Sequence, residues 1–576
     1  MTSGRDATAF SELAPFDYPS DVARRWILFL DVLRQRANVV LDHEAAGKPP
    51  VLAFEYETLL DARSFDPPAN YALLRILCVG DDRLEDCCDP DKPPVIVVDP
   101  RAGHGPGIGG FKRDSEVGVA LRAGHPVYFV SFFPSPCPGQ TLHDVLRALR
   151  RFVEHVSERH DGRAPILYGN CQAGWAVTLL AADCEGLAGP AVLNGSPLSY
   201  WSGEAGSSPM RTLGSLSGGA WLPHLAGDLG DGRFDGAWLV QNFEVLNPET
   251  AVWEKYARLL ADPEAERERF LAFERWWNAF YDLSCEEIVA IVEDLFVGNR
   301  IEDGQVRICE GCRVDLRRIR NPLVIFASHG DDITPPPQAL GWIPQVYPTT
   351  EDLKAAEQRI VYLIDQKVGH LGIFVSGKIA RREHRAILSN LPAIRDLAPG
   401  LYEMRLPDDG DEQAGFVERR VEDLETPRDD EAFERVRQIS EWSESLYATF
   451  VSPWIQAAAN PWTATMQRWL HPMRVSRWIF SERVNPAMAA VGMSAAALRA
   501  SPAPEADASW RQQERGAADA VGQTIAAARQ LRDQLAGHAF QQLYAGAAGS
   551  TSGPDSPQPG AGEQTAASRE TDTAAA

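Results

Sequence analysis

Residues 164–174 read Ala-Pro-Ile-Leu-Tyr-Gly-Asn-Cys-Gln-Ala-Gly, and the fold is decided by how they are read. An apolar run, Ala164 to Tyr168, enters Gly169; Cys171 follows, then small residues, then an apolar stretch from Trp175 to Ala182. The order is strand, sharp turn, helix, with Cys171 at the apex. A nucleophile elbow requires this layout, because its apical residue is strained and bulky neighbours would collide with the turn. Gly169 stands two before the apex, and Ala173, followed by Gly174, stands two after it. The alternative is a small buried cysteine that merely ends a core strand, since free cysteine is among the most buried residue types.

Outward from this turn the sequence keeps a regular rhythm. Short apolar runs at 95–98, 127–133, 165–168, 191–193, 323–326 and 360–364 alternate with helix-like stretches at 116–123, 141–160 and 172–184. Strands buried on both faces and separated by helices imply a mainly parallel α/β sheet. The rhythm breaks at 201–320, which is aromatic-rich and helix-like, with no clear strand. An insertion there is placed to cap the carboxyl ends of the strands, where open α/β sheets bind ligands; a separate packing domain is the alternative. The chain therefore divides into an N-terminal helical region (1–90), a core (91–200 and 321–400), a helical cap insertion (201–320) and a mostly helical C-terminal region (401–545). Residues 546–576, rich in Ala, Gly, Ser, Thr and Pro, have the composition of a disordered tail.

Composition narrows the function classes. The 576 residues carry a net charge of −24, which argues against nucleic acid and against simple attraction to anionic lipid. Met1 to Ala14 lacks the basic start and apolar core of a secretory signal, and no apolar run reaches the ~18–20 residues of a membrane helix. Nine scattered cysteines suit a reducing cytoplasm. The pair Cys309 and Cys312 forms a lone CxxC with no second pair nearby, so no metal site is expected.

Two further segments stand at strand ends. The run at 323–326 leads into Ala-Ser-His-Gly-Asp331-Asp332-Ile-Thr-Pro, and the run at 360–364 leads into Gly369-His370-Leu-Gly372. Nucleophile, acid and histidine thus follow in the chain order of an α/β-hydrolase. Cys171, Asp331 and His370 are the expected catalytic residues: His370 draws the thiol proton, and Asp331 fixes its tautomer and supports its charge. Taken singly, Asp331 and Asp332 are also turn-capping residues and His370 a hydrogen-bonded loop histidine. An oxyanion hole is expected from the backbone N–H of Gln172 and one from the glycine-rich loop 99–110, with Ala102, Gly103 and His104 shaping the site. That loop lacks a lysine at phosphate-cradle spacing. The expected fold is an α/β-hydrolase-like, mainly parallel sheet with a helical cap insertion and helical N- and C-terminal extensions.

At these motifs the chain resembles the polyhydroxyalkanoate synthases, acyltransferases of α/β-hydrolase fold whose elbow carries cysteine in place of serine. The likeness covers roughly residues 94–377 and rests on Gly-Asn-Cys171-Gln-Ala-Gly, Ser328-His-Gly-Asp331-Asp-Ile-Thr-Pro335 and Gly369-His370-Leu-Gly. The synthase turn reads Asp-His-Ile-Val-Pro, which aligns Asp331 with the catalytic aspartate and puts Asp332 where synthases have histidine. Ala173 stands where they have glycine. The whole chain is more similar still to a bacterial synthase-like family of unknown function, on Pro-Arg-Ala-Gly-His-Gly-Pro-Gly-Ile-Gly-Gly at 100–110 and His-Leu-Gly-Ile-Phe-Val-Ser-Gly-Lys at 370–378.

A cysteine at the elbow bears on the reaction class. It exchanges thioester for thioester, so the acyl group stays activated for transfer to an alcohol. The expectation is a Cys-dependent acyltransferase acting on hydroxyacyl thioesters, coenzyme A thioesters among them, with no bound cofactor. A thioesterase or esterase on the same triad is the first alternative. The second is a non-catalytic protein that associates with polyester granules or a membrane surface through aromatic segments at 460–470 and 478–480, which packing against the core explains as well.

Overall fold

The computed structural model describes residues 17–545 except 80–81, 84–87, 185, 204–207, 310–311, 408–412, 425 and 503–507. The expected tail at 546–576 lies outside the described residues. The central sheet contains ten principal strands: β1 (Glu55–Asp61), β2 (Tyr71–Val79), β3 (Val95–Val98), β4 (Val127–Phe132), β5 (Ile166–Asn170), β6 (Ala191–Asn194), β7 (Leu323–Ser328), β8 (Arg359–Asp365), β9 (Gly400–Arg405) and β10 (Gly415–Arg419). Their order is β1-β2-β4-β3-β5-β6-β7-β8-β9-β10, and the short strand Asp82–Arg83 pairs with β2. The seven from β4 to β9 run parallel; β1, β2 and β10 are antiparallel to their neighbours. This is the α/β-hydrolase fold.

Strands β3 to β7 are buried along their whole length, which is why they read as continuous apolar runs. Helices cover both faces. Leu142–Arg159 starts in a capping box formed by Thr141 and Asp144, and it buries Leu146, Leu149, Phe152 and Val153 against one face. The other face packs on Val117, Leu121, Ile387 and Leu391.

Three departures from the sequence reading stand out. Among the described residues up to 90, Asp17–Ala45 is the only long helix, and 55–79 supplies two strands of the sheet instead. The mostly helical 401–545 begins by adding β9 and β10 to the other edge before its helices start at Asp430. The insertion, read as free of strands, carries two small antiparallel pairs, Arg233–Phe234 with Leu283–Ser284 and Arg307–Cys309 with Cys312–Arg313.

The insertion is otherwise helical, and its helix Pro263–Trp277 lies over the carboxyl ends of the strands. It is held from behind by both extensions. Arg36 of the N-terminal helix and Lys255 both pair with the buried carboxylate of Glu274, pulling it down to about 2 against the cost of burial. Helices Pro472–Phe480 and Pro486–Arg499 pack on the same N-terminal helix, where Arg34 meets Glu482 at 2.6 Å. The helix Asp430–Leu446 and the 33-residue helix Ala508–Phe540 clasp the rest of the insertion.

Candidate active site

Strand β5 ends at Asn170, Cys171 takes φ +50°, and the helix Ala173–Asp183 begins two residues later. A non-glycine residue at positive φ is strained, and here the neighbours over-determine it. The Cys171 N–H donates to Asn194 O at 2.8 Å, and the Gly174 N–H donates to Cys171 O at 3.0 Å. The turn thrusts the cysteine side chain above the sheet rim.

Two strands away, β7 ends at Ser328 and the chain turns through Gly330. Asp331 is buried there, its Oδ1 accepting the N–H groups of Ile333 (2.9 Å) and Thr334 (2.8 Å). Its Oδ2 lies 2.7 Å from His370 Nδ1, and His370 Nε2 lies 3.1 Å from Cys171 Sγ. The three side chains are brought together in the order acid, imidazole, thiol. Burial opposes the charged imidazole, but Asp331 and Cys171 outweigh it and hold His370 well above its ordinary value. Among the described residues Asp332 makes no hydrogen bond to the imidazole, whose ring nitrogens meet Asp331 and Cys171. It lines the cavity beside the site, its carboxyl raised by burial and by the Asp331 charge.

The loop 99–110 closes over Cys171. Asp99 Oδ2 accepts the N–H groups of Gly107 and Ile108 and so fixes its curl, while burial holds the Asp99 carboxyl well above the ordinary range. The Ala102 N–H donates to Pro100 O at 3.1 Å, which removes it as an oxyanion donor. The N–H groups of Gln172, Gly103 and His104 make no hydrogen bond among the described residues. His104 places Nδ1 2.9 Å from Gly105 O and stacks on Trp277, and burial lowers it to about 4, so its ring is neutral.

A cavity of about 710 Å³ opens at Cys171 and His370. Phe243, Phe270, Phe273 and Trp277 of the insertion supply its aromatic wall, and Val51, Leu52 and Phe111 supply more of the lining. The aromatic cluster therefore faces the cysteine. Trp276 does not line the cavity: it is fully buried, with Nε1 donating to Gly105 O at 2.7 Å.

One functional feature escaped the sequence reading. Glu116, buried beneath the elbow, accepts from Asn170 Nδ2 (2.6 Å) and Asn194 Nδ2 (3.0 Å), and burial pushes it up to about 8. It ties together the ends of β5 and β6, next to Cys171. The sequence signal was slight: two asparagines at strand ends.

The arrangement has the parts for acyl transfer through a covalent intermediate: a thiol, a base oriented by a carboxylate, unengaged N–H groups and an apolar cavity. A family described as "Protein of unknown function (DUF3141)" matches residues 21–575. The chain belongs to this family. A relative from Rhizobium meliloti, described as "Uncharacterized protein in ackA 5'region", is 43% identical over 549 residues, covering 92% of this chain and 74% of that protein. The poly(3-hydroxyalkanoate) polymerase subunit PhaC of Allochromatium vinosum is 24% identical over 347 residues, covering 58% of this chain and 91% of that protein. A soluble variant of monoglyceride lipase from Saccharomyces cerevisiae aligns with a TM-score of 0.37 at 11% identity, covering 61% of this chain and 97% of that structure. The chain is thus a polyhydroxyalkanoate synthase-like α/β-hydrolase of a family without an assigned function. No helix among the described residues is long and apolar enough to cross a membrane.

Proposed function

We propose that the protein is a Cys-dependent acyltransferase acting on hydroxyacyl thioesters. The observation that carries this reading is the chain of contacts Asp331–His370–Cys171, at 2.7 and 3.1 Å, opening on an apolar cavity. His370 Nε2 takes the thiol proton, and the Cys171 thiolate attacks the carbonyl carbon of the thioester. The N–H of Gln172 and that of Gly103 or His104 receive the oxyanion. The leaving thiolate recovers the proton from His370, which leaves an acyl-cysteine. An alcohol then gives its proton to His370 and attacks the acyl carbon; an ester forms and the thiol is restored. Lys112, Arg258, Arg269 and Arg275 stand in the cavity lining, where they suit an anionic carrier such as the phosphates of coenzyme A. Water in place of the alcohol makes the same site a thioesterase, the alternative reading.

A second role rests on a different observation. Trp454 (77% exposed), Trp462 (71%) and Leu470 (71%) stand out from the C-terminal helices instead of packing on the core. Such a face suits contact with an apolar surface, a polyester granule or a membrane. Vesicle or granule co-sedimentation of the unmodified chain and of a Trp454→Ser/Trp462→Ser variant tests it: equal sedimentation of the two removes this role.

Intact-protein mass after incubation with 3-hydroxyacyl-coenzyme A tests the main reading. Acyl mass on the protein, absent from Cys171→Ala, is the expected result. The released product, polyester or ester against free acid, separates transfer from hydrolysis. No adduct and no turnover across short and medium acyl chains overturns the reading.

A further inference from the structure

Away from the cysteine triad, the insertion holds a second constellation of metal-ligating side chains. His224 and Asp228 lie one turn apart on the helix Trp221–Leu229, and Cys285 opens the helix Cys285–Ile291. One ligand atom from each of the three lies within 4.8 Å of the others, the one such grouping among the described residues. His224 Nε2 is 3.6 Å from Asp228 Oδ2. Two donors bound to one zinc at ~2.0–2.2 Å in tetrahedral geometry stand about 3.4 Å apart, so this pair needs almost no movement.

The surroundings are ordered around these atoms. Glu444 Oε1 lies 2.5 Å from His224 Nδ1, which fixes the tautomer that leaves Nε2 free to ligate. A carboxylate on the far nitrogen of a histidine is the usual outer partner of a ligating imidazole. Asp228 is nearly inaccessible, and its orientation is set by Tyr447 OH on Oδ2 (2.8 Å) and Gln456 Nε2 on Oδ1 (2.9 Å). No lysine or arginine pairs with it among the described residues. Cys285 reaches the group because residue 227 is glycine: a Cβ there would stand 2.5 Å from Cys285 Sγ. One side remains open, where a cavity of about 480 Å³ is bordered by His224, Asp228, Cys285, Glu286 and Glu293.

We propose that His224, Asp228 and Cys285 bind one zinc ion, with a fourth position open to this cavity. Thiolate, imidazole and carboxylate together favour zinc over magnesium or calcium, which take all-oxygen sites. Binding replaces the S–H proton of Cys285 by the metal and releases that proton to solvent; no redox step is involved. The ligands come from two helices of the insertion, and the outer partners Glu444, Tyr447 and Gln456 come from the C-terminal region. The ion would therefore fasten the C-terminal helices to the cap.

The experiment uses the untagged full-length chain, stripped with chelator and reloaded with zinc or cobalt(II). About one zinc per chain by elemental analysis and a thiolate-to-cobalt charge-transfer band are the expected results. Cys285→Ser should remove the band, and Glu444→Gln should weaken zinc binding by about 10–100-fold. Cys171→Ala and the double variant Cys309→Ser/Cys312→Ser should keep both metal and band. Absence of stoichiometric zinc from the unmodified chain overturns the proposal whether or not the variants fold. So does a cobalt spectrum without thiolate character, or loss of the metal in the Cys309/Cys312 variant with retention in Cys285→Ser. None of these readouts depends on acyl transfer.

Discussion

Gly174 packs so closely on Ser196 that a Cβ added to it would stand 1.8 Å from Ser196 Oγ and 2.2 Å from Ser196 Cβ. The close approach lets the helix after the elbow sit against the end of β6, where Ser196 Oγ donates to Gly169 O. After Cys171 the side-chain-free position this elbow demands is thus residue 174, as Gly169 is before it, and the alanine at 173 departs from the synthase pattern without obstructing the turn. Gly174→Ala should cost about 1–3 kcal/mol or more by overpacking, whereas Ala173→Gly should leave the turn intact. Thermal unfolding of both measures this, and Ser196→Gly in the Gly174→Ala background should restore part of the loss. Equal stability of Gly174→Ala and the unmodified chain contradicts the packing.

Cys171 should be the cysteine most readily alkylated by iodoacetamide near neutral pH. Its Sγ meets an imidazole held well above its ordinary value by Asp331, whereas burial pushes the Cys184 and Cys285 thiols up to about 12. Peptide mapping of alkylated protein reads the order directly. Cys171→Ala should lose turnover while keeping its melting temperature within a few degrees. Retained turnover in that variant would falsify the nucleophile.

Asp331→Asn should lower turnover by orders of magnitude, about 10⁴-fold where the same change was made in a serine protease triad. The amide cannot support the imidazolium or hold its tautomer. Asp332→Asn should do much less, because the hydrogen bond that orients His370 comes from Asp331 while Asp332 borders the cavity. A reversed ranking in steady-state kinetics would move the acid by one residue.

Glu116, buried beneath the elbow, links pH to stability. Its folded-state value, raised by burial to about 8 from 4.5, keeps it protonated in the fold while the unfolded chain ionises it. The unfolded state therefore binds fewer protons between about pH 4.5 and 8. This contribution is fully present below 4.5 and is lost as pH rises to about 8, by a few kcal/mol. Neighbouring His384, lowered by burial to about 4, stays neutral throughout that window. Glu116→Gln should flatten the dependence of melting temperature on pH across it, at some cost at the acid end from an imperfect fit to Asn170 and Asn194. Parallel curves for the two proteins would show that Glu116 does not titrate there.

The parts of this structure legible in sequence are those whose burial is two-sided. Strands β3 to β8 are runs of Val, Ile, Leu and Phe because both faces are covered, and the motif residues sit at their carboxyl ends. The sheet edges were hidden for the opposite reason. Glu55–Asp61 has no fully buried position and mixes exposed with half-buried residues without alternation, so its pattern carries little apolar periodicity. Gly415–Arg419 is equally mixed. Contributions to the site from distant segments were also invisible: Val51 and Phe243 come to border the same cavity as Cys171 only through the folded chain, and the Ala102 N–H is lost to Pro100 by a turn that spacing does not reveal.

The two tryptophans of the insertion should separate packing from shielding. Trp276 is fully buried, and its indole N–H holds Gly105 of the loop over Cys171, so Trp276→Ala removes a structural side chain. A loss of about 3–5 kcal/mol is expected, with activity falling through instability. Trp277 borders the cavity, stacks on Phe273 (5.6 Å between centroids) and His104 (5.7 Å), and donates to Glu244 at its far end. Trp277→Ala should enlarge the cavity towards solvent and admit water to the acyl-cysteine. The ratio of free acid to ester formed from a hydroxyacyl thioester should rise at constant acceptor concentration, while the rate of acylation changes less. Measured at a temperature well below the melting point of both variants, an unchanged ratio for Trp277→Ala would mean that the aromatic wall shapes the acyl pocket without excluding water.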